Sequence, residues 1–533
     1  MIKITVDNNK GFEWTHNDNI FFKGYFYDTN NKLFQGIEVI EYFRSIKTKQ
    51  EFIKKVKAIN GSFLIILKIN DIALVAVDRI RSIPIFIYQS GTNIHISDDI
   101  RIFRSQYNDI DSDALAIEQI RLSGYTLGNR TGLKNVKQLC SGEYCIVNGN
   151  EINIRKYYVH WHGNYLKLNS EQIKERLNII SDNVFSRLIN SADGRQIVVP
   201  LSGGYDSRYI VCWLKKLGYE NVCCFTYGNR NNIEARVSKR VAETLGYKWY
   251  CVDYSMYTWR NVFGDEWNGF FKYAGQLSQL PHEQDLYAVK YLVDAGIIEK
   301  NAIVVPGYCG DVLGGSFLYP PNKVVDYTIK DLLNKIKKRH FCYSYNWEDG
   351  IVQSILDSFC LNKINCLDEY NNIHEEWLAE NRWSKYIVNA VRGYEYQGLT
   401  WRLPFWDNEL VEFWYRIPNE IRQSGIYDSF LLDGIFKKYQ IDIKKPNKGH
   451  ALRYCINKTI KKLLEFTIGA NTLKFILGKF YEKKNKDPFH YLYLQEILER
   501  DVLIREYTFN ENTINSLIAL YYLLRVENIP IEY

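Results

Sequence analysis

The stretch Gln196 to Tyr219, QIVVPLSGGYDSRYIVCWLKKLGY, constrains the fold more than any other part of this chain. Ile197, Val198 and Val199 form a short apolar run, the pattern of a strand buried on both faces. Tyr209 to Leu217 then has helical length and meets its stop at Gly218. A strand, a glycine loop and a helix in that order make a phosphate-site layout. Within Ser202-Gly203-Gly204-Tyr205-Asp206-Ser207, two adjacent glycines let the backbone turn tightly with several N–H groups pointing inward, while Ser202 and Ser207 add hydroxyl donors. Those donors suit a polyphosphate. Asp206 would repel a bare phosphate, so its place in the loop makes sense when Mg²⁺ lies between the carboxylate and the anion.

The loop spells neither G-x-x-x-x-G-K-[ST] nor G-x-G-x-x-G, so neither the usual P-loop nor the dinucleotide reading applies. SGGYDS resembles the SGGxDS loop of the ATP pyrophosphatases, which split ATP between the α and β phosphates and grip the departing pyrophosphate. The resemblance implies ATP and Mg²⁺ as cofactors.

At 533 residues, 46% hydrophobic and 24% charged, the chain has the size and composition of two to four globular domains with substantial cores. Its net charge of +7 is small for the length and its lysines are scattered, so no nucleic-acid surface is indicated. No apolar run approaches the roughly 20 residues of a membrane span. Met1 to Lys10 is too polar for a signal peptide, and a cytoplasmic location is expected. The eleven cysteines include no C-x-x-C pair, which argues against a disulfide framework and a structural zinc site and predicts buried, reduced thiols. His160 and His162, at strand spacing, read as a surface pair rather than a metal site.

Residues 1–160 carry short apolar or alternating runs between turn signals: Phe21 to Tyr27, Ser62 to Ile69, Ile72 to Val77 and Ile83 to Tyr88. A β-rich domain is predicted. Asn60-Gly61-Ser62-Phe63, Asp78 to Phe86, His95 to Ile100, Gly124-Tyr125 and Leu139 to Cys145 resemble, in order, segments of class II glutamine amidotransferase domains, implying an Ntn-type sandwich. That family's glutaminase uses an N-terminal cysteine, whereas the second residue here is Ile2 and no cysteine precedes Cys140. A counterpart of the family's NGEIYN segment is also missing. The domain therefore reads as a structural remnant without glutaminase activity.

The second domain is expected at 169–457. Asn169-Ser170 reads as a helix start, followed by Ile173, Leu177, Ile180, Val184 and Leu188 on one face. Beyond the loop come a strand over Asn221 to Tyr227, a helix over Glu234 to Leu245 ending at Gly246, a strand over Lys248 to Asp253, and another over Ala302 to Val305. Strands alternating with helices predict a parallel sheet, hence an α/β nucleotide-binding domain beside the β-rich one and α+β overall. Ligands collect at the carboxyl ends of such strands, which places Leu201, the loop, Tyr227 and Gly228 around one crevice. Tyr227 and Gly228 read either as the border of the adenine or as an ordinary strand end with a turn glycine. Cys223-Cys224 is read as core.

Pro306-Gly307-Tyr308-Cys309-Gly310-Asp311-Val312-Leu313-Gly314-Gly315 resembles the SGEGADELFGG segment of asparagine synthetases, and Arg402 to Asp407 resembles the RxPFLD segment of the same family. The first implies Asp311 as a Mg²⁺ ligand with Asp206, and Gly307 as a close approach to the nucleotide. The second is read as architectural, with Asp407 an N-cap or ion-pair partner rather than a catalytic group. That family often has Glu where this chain has Thr400. Lys444 to His450 resembles its K-x-G loop, which makes Lys448 a catalytic candidate at the α-phosphate, where charge develops during attack. On local composition alone it is a solvated lysine loop. A helical extension is expected over 458–533.

Together these resemblances imply an asparagine synthetase-like ligase. It would use ATP and Mg²⁺ to adenylate a small-molecule or peptide carboxylate and then form an amide with ammonia or an amine. Asp206 would act catalytically through the metal, and Ser202, Gly203, Gly204 and Ser207 would hold pyrophosphate. No nucleic-acid partner and no membrane span are expected, and a homodimer stays open. Asparagine formation itself, a PP-loop thiolation enzyme and a non-catalytic scaffold remain as alternatives. Ala274 to Tyr291 is read as the acyl pocket.

Overall fold

Alternation along the first strands gives one antiparallel sheet two apolar faces. A computed structural model describes residues 2–6, 8–107, 110–320, 327–344, 349–361, 363–443, 487, 489–507 and 513–531. The strands Glu151–Lys156, Glu143–Asn148, Ile72–Val77, Asn60–Ile69, Ile20–Tyr27 and Trp14–His16 lie side by side in that order, with Leu33–Gln35 also paired to Ile20–Tyr27. Phe22, Phe26, Phe63, Ile65, Leu67, Leu74 and Ala76 pack with Val39, Phe43, Phe52 and Val56 of the helices Glu38–Arg44 and Lys49–Ala58. Their neighbours Tyr25, Tyr27, Leu64, Ile66, Ala73, Val75 and Val77 face a second core. That core includes Ile87, Ile94 and Ile96 of a four-stranded sheet ordered Ile2–Thr5, Asn93–Ser97, Phe86–Ser90, Val136–Gln138. The period of two thus sorts side chains between the two layers.

The second half is built on a five-stranded, wholly parallel sheet, ordered Lys248–Asp253, Val222–Gly228, Ile197–Pro200, Ile303–Val304 and Thr400–Trp401. The apolar run at 197–199 is its central strand, buried on both faces as its composition demands. Ile197, Val199, Cys224 and Ile303 point into a core with the helices Ser170–Ala192 and Tyr205–Lys216. Val198, Cys223, Phe225 and Val304 point the other way, into the same core that backs the antiparallel sheet. Asn169 caps the long helix through a capping box with Gln172, and Gly246, with φ +75°, ends the helix Ile233–Leu245.

The chain is mixed α/β, with antiparallel sheets, a parallel sheet and a helical C-terminal region. The helices Tyr491–Glu499 and Ile514–Tyr521 do not stand apart from the rest. Leu494, Leu498, Leu517, Ile518 and Leu520 belong to the same core as Val198 and Val75. Among the described residues no helix is long and apolar enough to cross a membrane.

One sequence expectation fails plainly. His160 and His162 are not on the surface but 1% and 2% exposed. They lie between the strand Glu151–Lys156 and the helix Ser170–Ala192, where the two halves of the fold meet. His160 hydrogen-bonds Arg79 O at 2.7 Å and Tyr415 Oη at 3.0 Å, while His162 Nε2 lies 2.5 Å from Glu375 Oε2. Arg422 approaches the same carboxylate at 3.4 Å, and Arg422 and Glu375 are both fully buried. Burial alone would raise the Glu375 pKa, but Arg422 and His162 outweigh it and hold the carboxyl down at about 2. Alternating polar residues at 160 and 162 looked like an exposed strand because nothing local reveals partners that lie 81 to 260 residues away. Removing the charge at Glu375 would leave Arg422 buried without its counter-ion. Glu375→Gln is therefore expected to lower the unfolding free energy in urea by about 3 kcal/mol, and a loss below about 1 kcal/mol would contradict this account.

Candidate nucleotide site

The central strand ends at Pro200, and Leu201 extends its ladder by one bond, its N–H donating to Phe225 O at 2.7 Å. The chain then turns through Ser202 and Gly203 into the helix Tyr205–Lys216, with Gly204 at its N-cap. The turn is tied internally. The Ser202 N–H donates to Ser207 Oγ at 3.1 Å, the two serine hydroxyls are 3.2 Å apart, and the Gly204 N–H donates to Ser202 Oγ at 3.1 Å. Because glycine caps the helix, the N-cap position supplies no side-chain acceptor of its own, and the positive end of the helix dipole lies at the turn.

Arg208, which sequence reasoning passed over, fixes this turn from beneath. Fully buried, it donates through Nη2 to Gly203 O at 2.6 Å, through Nε to Gly204 O at 3.1 Å and through Nη1 to Ile443 O at 2.5 Å. Three main-chain carbonyls in the fork of one guanidinium hold the glycines rigid. An arginine two residues after the aspartate of the loop carries no sequence signal for this task.

The segment after the strand Ile303–Val304 lies against the first turn of the same helix. A Cβ built on Gly307 would sit 3.2 Å from Asp206 Cβ, and one on Gly310 would sit 2.6 Å from Asp206 Cγ, inside contact distance. Glycine at 310 is therefore a steric requirement. Asp206 Oδ1 accepts a hydrogen bond from Tyr427 Oη at 2.7 Å, a partner invisible in the sequence because Tyr427 comes from a helix 221 residues on. Asp311 is exposed on the short helix Gly310–Leu313. Burial pushes up the Cys309 thiol and the Tyr427 phenol, and the charges of Asp206 and Asp311 push both further. Both carboxylates thus act electrostatically on the same two side chains. Two carboxylates fit Mg²⁺, which takes few protein ligands. Among the described residues no cluster of three or more His, Cys, Asp or Glu side chains is arranged to hold a metal.

Tyr227 and Gly228 finish the strand Val222–Gly228 on the same edge, Gly228 with φ +101°. The Tyr227 ring stacks on Tyr254 at 5.4 Å and lies 5.7 Å from Phe489. Beside them, the region read as an acyl pocket supplies Glu283 and Asp285, 5% and 2% exposed. Tyr491 Oη donates to Glu283 at 2.9 Å, Tyr394 Oη donates to Asp285 Oδ2 at 2.6 Å, and Tyr308 Oη stands 3.1 Å from Tyr394 Oη. A line of hydroxyls therefore leads from the residue after Gly307 to a buried carboxylate. Cys223 and Cys224 are core, as expected. Asp407 caps the helix Asn408–Tyr415 and pairs with Arg187 at 2.8 Å. Lys448 and its loop lie outside the described residues.

Residues 196–262 match the family model described as queuosine biosynthesis protein QueC. That segment holds the loop, its helix and the next two strands, so this part of the chain is similar to that family over the whole strand–loop–helix unit. No curated protein matches the chain. Among solved structures, the NH3-dependent NAD synthetase of Campylobacter jejuni is 18% identical over 28% of this chain and 61% of its own, with a TM-score of 0.19. The chain thus spans less than two thirds of that enzyme's length. The NMN synthetase of Francisella tularensis is 14% identical over 39% of this chain and 92% of its own, also at 0.19. The glutamine phosphoribosylpyrophosphate amidotransferase of B. subtilis is 10% identical over 67% of this chain and 76% of its own, again at 0.19. Likenesses at that TM-score bear on neither fold nor function.

Burial, opposed by hydrogen bonds from Tyr491 and Tyr394, pushes Glu283 up to about 7 and Asp285 up to about 6. Both folded-state values lie above the ordinary carboxylate range, so the folded chain binds these protons more tightly than the unfolded chain. Their contribution to stability is then full below about pH 4 and is lost as pH rises to about 7. Asp285→Asn removes that loss. It is expected to raise the unfolding free energy at pH 8 by about 3 kcal/mol and to change it little at pH 4; equal effects in denaturation curves at the two pH values would contradict the assignment.

Proposed function

We propose that the chain is an ATP-dependent, AMP-forming ligase of the asparagine synthetase type. A substrate carboxylate oxygen attacks the α-phosphorus of ATP, and the bond from that phosphorus to the bridging oxygen breaks. Pyrophosphate leaves with the electron pair. Ammonia or an amine then attacks the acyl carbon, loses a proton and displaces AMP. The single observation that carries this reading is the Ser202–Ser207 turn at a helix N-terminus, set against a second glycine segment that continues into Asp311. The PP-loop match over 196–262 supports it.

In this reading Ser202, Gly203, Gly204 and Ser207 bind the departing pyrophosphate, and Leu201, Tyr227, Gly228 and Gly307 border the nucleotide. Asp206 and Asp311 would hold Mg²⁺, which when bound supplies charge neutralisation on the phosphates. Tyr427 orients the Asp206 carboxylate, and Arg208 keeps the glycine carbonyls turned away from the anion. Lys448 is assigned to the α-phosphate, where charge grows during attack. The amidotransferase-like half provides no glutaminase in this reading. Its cysteines, Cys140 and Cys145, are buried, with burial pushing both thiols up. A thiolation enzyme would need a reactive thiolate, and Cys309, beside Gly310, is pushed the wrong way by burial and by Asp311 and Asp206. The finer identity of the acid, aspartate included, belongs to the assay.

Incubation with ATP, Mg²⁺ and a panel of carboxylic acids is expected to yield AMP and pyrophosphate in equal amounts, whereas ADP as the product would overturn the reading. Mg-ATP should raise the melting temperature of the wild-type chain, and Asp206→Ala should abolish most of that rise. A full rise in the variant would remove Asp206 from the metal site. Lys448→Ala should cut AMP formation by about 10² to 10³ with little change in nucleotide affinity; undiminished turnover would remove Lys448 from the reaction.

A further inference from the structure

The line of hydroxyls that starts beside the phosphate loop ends on a carboxylate with an unmet valence for hydrogen bonding. Asp285 is 2% exposed; its Oδ2 accepts from Tyr394, and the Tyr308 hydroxyl and the residue's own N–H also act on the carboxylate. Oδ1 is buried and accepts no hydrogen bond among the described residues. A buried carboxylate oxygen left in this state costs about 1–3 kcal/mol or more, so a fold keeps one where something else completes it. Neither Asp285 nor the neighbouring Glu283 forms an ion pair among the described residues, and the charge of Asp285 weighs on Glu283. Two buried carboxylates therefore influence each other with no ion-pair partner among the described residues.

The surroundings fit a cation. Tyr227, Tyr254, Tyr308 and Tyr394 all lie within the electrostatic reach of Asp285, and Tyr227 and Tyr254 are stacked on each other. Aromatic faces beside carboxylates attract ammonium groups. There is also space. Gly393 is buried in the helix Arg392–Tyr396, and a Cβ built on it would meet one atom alone within 4 Å, Asp285 Oδ1 at 3.9 Å. Among the described residues, the missing side chain thus leaves room for about a methyl group in front of Asp285 Oδ1. The spot is close to the proposed chemistry, since Tyr308 adjoins Gly307, and Gly307 touches the first turn of the loop helix.

We propose that Asp285, assisted by Glu283, binds the ammonium group of the small molecule that this site takes, and that Gly393 keeps the place for it. The assignment of that molecule as the ligase substrate rests on the function proposed above; the ammonium site itself does not. A bound ammonium satisfies Oδ1, pairs with both carboxylates and presents its N–H groups to the phenols. Acids that lack the amine would leave the buried charge as it is.

Two measurements on the full chain separate the two readings. Calorimetric titration in the presence of Mg-ATP would use L-aspartate, 4-aminobutanoate and L-norvaline against succinate, butanoate and pentanoate. At least one amine-bearing acid is expected to bind at least about 30-fold more tightly than its counterpart. Asp285→Asn and, independently, Gly393→Ala, whose methyl fills the space at ordinary contact distance, should each remove most of that preference. Both should leave the Mg-ATP melting shift intact, which certifies folded protein. Equal binding within every pair, or a preference that survives both substitutions, overturns the proposal. The second measurement is the AMP assay with the same acids. Amine-dependent binding without AMP formation would sink the ligase reading while leaving the ammonium site standing. AMP formation with no preference for the amine would do the reverse.

Discussion

The close approach of Gly310 to Asp206 is the constraint on which the carboxyl edge of the parallel sheet depends. With a hydrogen atom in place of a methyl, the segment after one strand can lie against the first turn of the helix that follows another. Two acidic residues more than 100 positions apart then share Tyr427 and Cys309 as neighbours. A larger residue at 310 would drive the segment off the helix, separate the carboxylates and open the floor of the crevice. Arg208 secures the other side by taking up the carbonyls of Gly203 and Gly204, so the turn does not need a bound anion to keep its shape. The site is preorganised in the sense that matters for charge stabilisation.

The elements that sequence could reveal were those set by local rules. The apolar run 197–199, the Asn169 cap, the stop at Gly246 and the strand Lys248–Asp253 each follow from short-range pattern, and each is found within a residue or two of its expected place. The phosphate loop was legible for the same reason, since a turn, its donors and its helix are contiguous. What escaped was everything made by long-range partnership. Tyr427, Tyr394 and the buried histidines act through groups that only the tertiary fold brings near, and Arg208 adds the distant Ile443 O to the two nearby glycine carbonyls it holds. No periodicity distinguishes such residues from ordinary core or surface. His160 and His162 show how far this goes, because a pattern typical of an exposed strand there marks one of the most deeply buried polar clusters.

The two sheet systems are not joined by an apolar seam alone. Besides the shared core, the halves are tied by Lys156 to Glu376 and Glu380, Arg79 to Glu412, Arg392 to Ser82 O, and Lys385 to Thr126 O and Gly128 O. Directional bonds of this kind fix one relative placement, where apolar packing by itself tolerates sliding. The antiparallel half is therefore part of the scaffold against which the parallel sheet is held.

The wall of the crevice beyond Tyr227 comes from near the other end of the sequence. Phe489 lies against Tyr227, its carbonyl accepts from Trp259 Nε1 at 2.8 Å, Tyr491 stacks on Trp259 at 5.4 Å, and the Tyr491 hydroxyl reaches Glu283. During synthesis, the loop 202–207, Asp206, Asp311 and the buried acidic pair all leave the ribosome well before these aromatic rings exist. A growing chain thus lacks this wall of the crevice until residues 489–491 have been added.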